Sequence, residues 1–376
     1  MRIALIGPSY PFRGGIAHYT TLLYRHLKLR HKVRFLSLRR QYPRWLYPGA
    51  SDRDPSEFAI REDGTENVLD PTNPWTWWQV AQRATAFRPD LIILPWWVSF
   101  WSPSYTFILS ILRRRTRAKV LYLCHNVTPH ESRRYDRWLA RLPLSLGDLF
   151  VVHSRQDEER LRRLLPGARI QRTVHPTYEV FRRVEISKAE ARQQLGAIGD
   201  TLLFFGFVRP YKGLEHLLEA MPIVLAERDL HLWVVGEFWQ NEARYRQQIK
   251  SLGVEDQVHV VNRYISNEEI GIYFAAADAV ILPYISGTGS GIAQIAFGYE
   301  RPIVATRVGD LPDIVEDGQT GWLVPPADPP ALAAAMLRIY EHDGDRWAAQ
   351  IRARRDRFTW ERMVECIEQL AAGAAA

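Results

Sequence analysis

The sequence predicts an α/β protein built from two Rossmann-like, doubly wound domains facing an interdomain cleft. Three observations carry this. Short apolar runs of strand length alternate with segments of helical spacing, which is the pattern of a parallel sheet covered on both faces. The alternation lapses near His175–Gly199 and then restarts. The 376 residues exceed one comfortable core and suit two ordinary domains. The expected domains are residues 1–180 and 181–356.

In the amino half, Arg2–Ile6 is an apolar strand, followed by a glycine-bearing loop and an amphipathic stretch over Ile16–Leu27. Lys32–Leu38 is a second strand. Residues 39–73 are polar, basic and proline-rich, a long loop with room for one short strand. Trp75–Phe87 has helical spacing, and Leu91–Leu94, Val120–Cys124 and Leu149–Val152 are further buried strands. After a charged helix at Lys188–Leu195, strand-like runs recur at Leu202–Phe205, Leu230–Val235, Val258–Val261, Ala279–Leu282 and Pro302–Ala305. Helical candidates between them are Leu214–Glu227, Ala243–Ser251, Asn267–Ala276 and Ile292–Tyr299. Ligands of such sheets bind beyond the carboxyl ends of the strands.

Hydrophobic residues at 47% and charged residues at 24% exclude disorder and a membrane bundle. Cys124 and Cys366 make neither a disulfide framework nor a zinc cluster, so a reducing compartment fits. The first apolar run meets glycine and proline too early for a signal peptide, and a cytoplasmic protein is expected. Leu91–Leu112 carries no charge, yet Pro95 and Pro103 break it. It reads as a strand, a loop with Trp96, Trp97 and Trp101, and a helix, not as a membrane span. A net charge of +7 asks for an anionic partner: nucleic acid, anionic lipid or a diphosphate. The aromatic residues form no RNA-binding motif, so nucleic acid is not expected. Basic clusters at Lys28–Arg44, Arg113–Arg117 and Arg133–Arg141 suit a membrane surface or a merely solvated face.

Four segments carry chemistry. Gly7-Pro-Ser-Tyr-Pro-Phe-Arg-Gly14-Gly15 joins a strand to a helix, where paired glycines let amides approach an anion. Glycine also serves any tight turn there, and the dinucleotide fingerprint is not matched. Phe205-Gly-Phe-Val-Arg209-Pro-Tyr-Lys212-Gly213 places two cations at a strand's carboxyl end, fit to stabilise a diphosphate or simply solvated. Lys212 is expected to be exposed. Leu282-Pro-Tyr-Ile-Ser-Gly287-Thr-Gly289-Ser290-Gly291-Ile-Ala-Gln294 alternates glycines and hydroxyls before a helix, as an anion cradle does. The fourth runs from Gly309 through Asp313, Gly318 and Gly321 to Pro326.

In order and spacing these segments resemble the retaining glycosyltransferases of family four, of GT-B fold. Lys212-Gly213, Ala275-Ala-Ala-Asp278 to Leu282-Pro283, and Gly309 to Pro326 carry the resemblance. Gly14-Gly15-Ile-Ala-x-Tyr, His125-Asn126 and Val151-x-x-Ser154 extend it to the amino half. It implies a nucleotide diphosphate sugar as donor substrate and no separate cofactor. Arg209 and Lys212 would bind the diphosphate. Ser290, Gly291 and Ile292 would offer amides to the distal phosphate and sugar, with Gly14 and Gly15 on the opposite wall. His125 would approach the transferred sugar, and Gln294 the ribose or the sugar. The last helix, about 357–371, would return to the first domain.

The chain departs from the family where two glutamates usually stand with seven residues between them. Gly287 and Ile295 fall there, with Gln294 one step off, and Phe207 takes the usual arginine place. Without the resemblance, His125 reads as a polar cap at a sheet end. Asp52-x-Asp54 and Asp343-x-Asp345 have metal-transferase spacing but lie in charged surface-like stretches, so metal-independent transfer is expected. The expected acceptor is a lipid-linked saccharide of cell-envelope or exopolysaccharide biosynthesis, met by a peripheral protein on the anionic inner membrane face. The competing reading is a catalytically inactive nucleotide-sugar binding protein.

Overall fold

The computed structural model describes residues 1–43, 51–127, 134–182, 186–287 and 289–373. It divides into two compact units. The first comprises Met1–Pro55, Ala59–Thr173 and Trp360–Ala376; the second comprises Ser56–Phe58 and Val174–Thr359.

The first unit is a seven-stranded parallel sheet. Its strands are β1 (Arg2–Ile6), β2 (Lys32–Leu38), β3 (Thr65–Leu69), β4 (Leu91–Trp96), β5 (Lys119–Cys124), β6 (Leu149–Val152) and β7 (Arg169–Arg172). They lie in the order β3-β2-β1-β4-β5-β6-β7. Helices α1 (Gly15–Leu27), α2 (Pro74–Phe87), α3 (Ser102–Arg115), α4 (Arg134–Leu144) and α5 (Arg155–Leu164) connect them. The helices start where side chains satisfy free first-turn amides: Asn73 accepts from Trp75, and Ser154 from Asp157. The central strands are buried on both faces, so they read as continuous apolar runs. Helices α2, α3 and α4 pack side by side over one face of the sheet.

The second unit repeats the plan with six parallel strands. These are β8 (Asp200–Phe205), β9 (Leu230–Val235), β10 (Val258–Val261), β11 (Ala279–Leu282), β12 (Ile303–Thr306) and β13 (Gly321–Val324). The order is β10-β9-β8-β11-β12-β13. The helices are α6 (Lys188–Leu195), α7 (Leu214–Leu225), α8 (Glu242–Leu252), α9 (Asn267–Ala276), α10 (Gly291–Gly298), α11 (Leu311–Ile314), α12 (Pro329–Arg338) and α13 (Gly344–Arg352). A capping box of Ser187 and Glu190 starts α6. In both sheets the winding direction reverses once, at β1/β4 and at β8/β11, and open α/β sheets bind ligands outside the strand ends at such reversals.

The chain ends in α14 (Trp360–Ala372), which packs on α1 within the first unit. Trp360 lies 5.1 Å from Tyr19 and 5.6 Å from the His26 ring, Arg30 pairs with Glu368, and Lys119 donates to the Ala371 carbonyl.

Several expectations need correction. The first unit ends at Thr173 and not at residue 180, because Thr177 donates to the Phe358 carbonyl and Tyr178 packs on Gly291. Ser56–Phe58 joins the second unit by accepting hydrogen bonds from Asn267. Strands β7 and β13 and helices α12 and α13 had no counterpart in the sequence reading. The uncharged stretch divides into β4, a 3₁₀ turn at Ser99–Trp101 and α3. No helix among the described residues is long and apolar enough to cross a membrane. Trp96, Trp97 and Trp101 are buried, and the indole N–H groups of Trp96 and Trp97 donate to the Val127 carbonyl and the Tyr42 hydroxyl. Of the expected basic clusters, Lys28 pairs with Glu62, Arg34 with Glu66 and Arg113 with Asp148. Arg44 and Arg133 lie outside the described residues.

Candidate functional site

In the second unit, the strand ends at the β8/β11 reversal hold three of the four motif segments. Beyond β8 the chain turns through Gly206 and a 3₁₀ turn, Pro210–Lys212, into α7. Gly206 has a positive φ of 100°, and a Cβ there would lie 2.9 Å from Lys212 Nζ and 3.3 Å from Ile292 Cδ1. Lys212 and Ile292 therefore meet over one glycine. Gly213 (φ 67°) abuts the β11 loop so closely that a Cβ would fall 2.0 Å from the Pro283 carbonyl oxygen. Ile285 donates to the Tyr211 carbonyl at 2.8 Å, so the two loops form one body.

Lys212 is buried, contrary to the exposed cation expected from its loop. Its ammonium lies 5.6 Å from the Tyr284 ring centroid. Burial, with the Arg209 charge beside it, lowers its pKa to about 7. Arg209 is half-buried between the Tyr211 and Trp239 rings at 5.1 and 5.3 Å. Phe207, which takes the usual arginine place, packs on Trp239 at 4.7 Å.

Beyond β11, Ser290 caps α10 by accepting from Ala293, and its hydroxyl lies 3.2 Å from the Tyr284 hydroxyl. The Ser290 amide, expected to meet a phosphate, donates to Asp310 Oδ2 at 3.3 Å. Gly291 and Ile292 open the helix, where first-turn amides have no intrahelical acceptor. Gly291 is needed for closeness, since a Cβ would stand 3.3 Å from Tyr178. One turn on, Gln294 is fully buried, and neither amide atom of its side chain has a partner among the described residues. An orphaned buried amide is costly and rare. Ile295 is an ordinary core residue.

Asp310, in the loop after β12, was missed by the sequence reading. It is 1% exposed and lies against Gly289 and Ser290. The signal was present within the Gly309-to-Pro326 segment, but a carboxylate folded back onto a neighbouring loop leaves no trace in spacing. Tyr284 was missed too, because aromatic residues in such loops usually read as core.

In the first unit, Gly14 (φ 108°) precedes α1, and a Cβ at Gly14 or Gly15 would meet nothing within 4 Å. Gly15 is exposed at the start of α1. His125 follows β5, its amide held by the Trp96 carbonyl at 2.8 Å. Its ring sits edge-on to Tyr19 at 4.5 Å and 5.6 Å from His153. Burial drives His153 down to about 4, so it stays neutral beside His125. Arg13, in the same first loop as Gly14, is buried as well.

One aspartate of each Asp-x-Asp pair has a structural partner. Asp343 caps α13 by accepting from Arg346, and Asp54 is buried 3.5 Å from His18. No group of metal-ligand residues occurs among the described residues. A cavity of about 790 Å³ in the second unit is lined by Lys188, Arg301, Asp345 and Arg352 among others, and by none of the loop residues above. Its Glu300 is shared by Arg182 and Arg352, so its charges largely cancel.

Residues 199–342 match the family "Glycosyl transferases group 1", and residues 14–177 match the "Glycosyl transferase 4-like domain". A D-inositol 3-phosphate glycosyltransferase of Streptomyces scabiei is 30% identical over 215 residues, 54% of this chain and 46% of that protein. An MMP alpha-(1->4)-mannosyltransferase of Mycolicibacterium hassiacum is 35% identical over 133 residues, 35% of this chain and 32% of that protein. The matched region spans about half the length or less of these curated relatives. Among solved structures, sucrose-phosphate synthase of Thermosynechococcus elongatus superposes with a TM-score of 0.73 at 20% identity, covering 99% of this chain and 98% of that one. Anabaena HepE, solved in complex with UDP, gives 0.73 at 18% identity over 99% and 100% of the two chains.

Proposed function

Because the chain belongs to the family-four type of glycosyltransferases and has their GT-B fold, we propose that it transfers a sugar from a nucleotide diphosphate donor to an acceptor hydroxyl. The observation that carries this reading is the cluster of Arg209, Lys212 and the α10 amino terminus around the β8/β11 reversal. Two cations and a helix end converge there, which is what a departing diphosphate needs.

In this reading Arg209 and Lys212 bind the diphosphate, and the Gly291 and Ile292 amides meet its distal phosphate. Ser290 shapes that helix end, and Asp310 holds Ser290. Gln294 offers its unpartnered amide to the ribose or the transferred sugar. Gly14 and Gly15 leave α1 open to the donor, and His125 approaches the sugar. The acceptor oxygen bonds to the anomeric carbon on the face that the diphosphate leaves, so configuration is retained. The bond from that carbon to the phosphate oxygen breaks with its electron pair. The acceptor's proton passes to a leaving phosphate oxygen, and no metal is required.

The acceptor we propose is a lipid-linked saccharide in envelope or exopolysaccharide synthesis, met by a cytoplasmic protein resting on the anionic inner membrane face. A competing reading, a nucleotide-sugar binder without turnover, is favoured by Gly287 and Ile295 where the family carries glutamates. Screening nucleotide sugars separates the two. The true donor at about a hundred times its Kd should stabilise the fold by about 2.7 kcal/mol, and it should turn over. Stabilisation without turnover supports the binder, and no response to any donor removes both readings.

A further inference from the structure

We propose that the outer face of the α2–α3–α4 layer is a docking surface for an anionic lipid bilayer. These three adjacent helices expose Trp75, Trp78, Phe107, Trp138 and Leu142, with Trp75 and Trp138 61% and 64% exposed. Trp75 stacks on Trp78 at 4.7 Å, and Trp77 meets Phe107 at 5.8 Å, so the apolar ridge crosses from α2 to α3. On α4 the exposed stripe is Arg137, Trp138, Arg141 and Leu142, cation and apolar side chain in turn. The three helices contain one acidic residue, Asp136, and it is buried against the Ser99 hydroxyl. Among the described residues no carboxylate pairs with Arg114, Arg115, Arg137 or Arg141.

Charge selects the occupant. Among the described residues, every exposed charged side chain on these helices is an arginine, which calls for an anionic partner. Arginine stems and tryptophan rings together suit the headgroup layer of a bilayer carrying negative lipids. Insertion is shallow, since the apolar groups are side chains on folded helices. The purpose of this surface rests on the lipid-linked acceptor proposed above, so binding is measured without donor or acceptor and either idea can fail alone.

The test is co-sedimentation of the full chain with phosphatidylcholine vesicles, with and without phosphatidylglycerol, at low and high salt. Binding should need phosphatidylglycerol and be released by salt. Arg137→Gln with Arg141→Gln should weaken partitioning by roughly fivefold per arginine, while Arg137→Lys with Arg141→Lys should retain it. Trp75→Ser, Trp78→Ser and Trp138→Ser together should remove the fluorescence quenching caused by brominated acyl chains. Transfer to a soluble acceptor should persist in all three variants. Binding that ignores phosphatidylglycerol, or that is the same in every variant, overturns the proposal. So does a change of oligomeric state in the tryptophan variant with vesicle binding intact, which would make the face a protein interface.

Discussion

Lys212 is asked to be charged in a place that disfavours charge. With its pKa lowered from 10.5 to about 7, it is neutral in both states above pH 10.5. As pH falls toward 7 the unfolded chain takes up a proton that the folded chain does not, so stability drops, and below 7 the deficit is constant. Lys212→Met should therefore stabilise the unliganded protein at pH 7 by about 0.5–2 kcal/mol, a gain that vanishes near pH 11, while abolishing transfer. Thermal melts across pH read this directly; a destabilised variant at pH 7 would mean the cation is already paired. A bound diphosphate should also draw a proton onto Lys212 at pH 8 and hardly any at pH 6. Calorimetry in buffers of different ionisation heat measures that uptake. The sequence identified Lys212 by motif, but not its burial, because depth depends on Tyr284 and Ile292 being brought against it from another segment.

At the scale of elements, the β8 and β11 loops are fastened by Gly213 against Pro283. Gly213→Ala should cost about 1–3 kcal/mol from the positive φ alone, and more from the 2.0 Å approach to the carbonyl oxygen. A melting temperature equal to that of the parent would show that the loops can separate. Helix α14 is legible in sequence because Trp360, Met363, Val364, Ile367 and Leu370 recur at helical spacing and are buried. Ile367→Ala should lower stability by about 2–5 kcal/mol, read from denaturant midpoints of the first unit. Strand β7, Arg-Ile-Gln-Arg, escaped because an edge strand with one apolar residue has no run to recognise. Strand β13 escaped because Gly321 opens it, its φ of 150° needed where a Cβ would lie 1.9 Å from the Ile303 carbonyl oxygen.

For the whole molecule, the doubly wound plan was readable because buried parallel strands must be apolar on both faces, whatever chemistry sits at their ends. The net charge was readable as a quantity, but its placement was not. Lys28, Arg34 and Arg113 are consumed by Glu62, Glu66 and Asp148, while Arg114, Arg115, Arg137 and Arg141 pair with no carboxylate among the described residues. Transfer should survive excess chelator, because in the proposed mechanism cations and helix amides supply the positive charge at the leaving group. Loss of activity with chelator and rescue by magnesium would overturn the metal-independent mechanism. The site was legible as a set of loops; Asp310 was not, since its partnership with Ser290 exists only after β11 and β12 lie side by side.

The packing of α14 on α1 also sets an order of events during synthesis. The first unit is made from residues before 174 and after 359, and all of the second unit except Ser56–Phe58 is translated between them. While the ribosome works through the second unit, the α1 surface around Tyr19 and His26 waits without its cover. The second unit can close on its own as it emerges, but the first can finish only after residue 372 has left the exit tunnel. A nascent chain stopped before Trp360 should therefore bind chaperones through α1 and be cut by proteases there. Completed chains should resist both, a difference that limited proteolysis of stalled ribosome complexes would display.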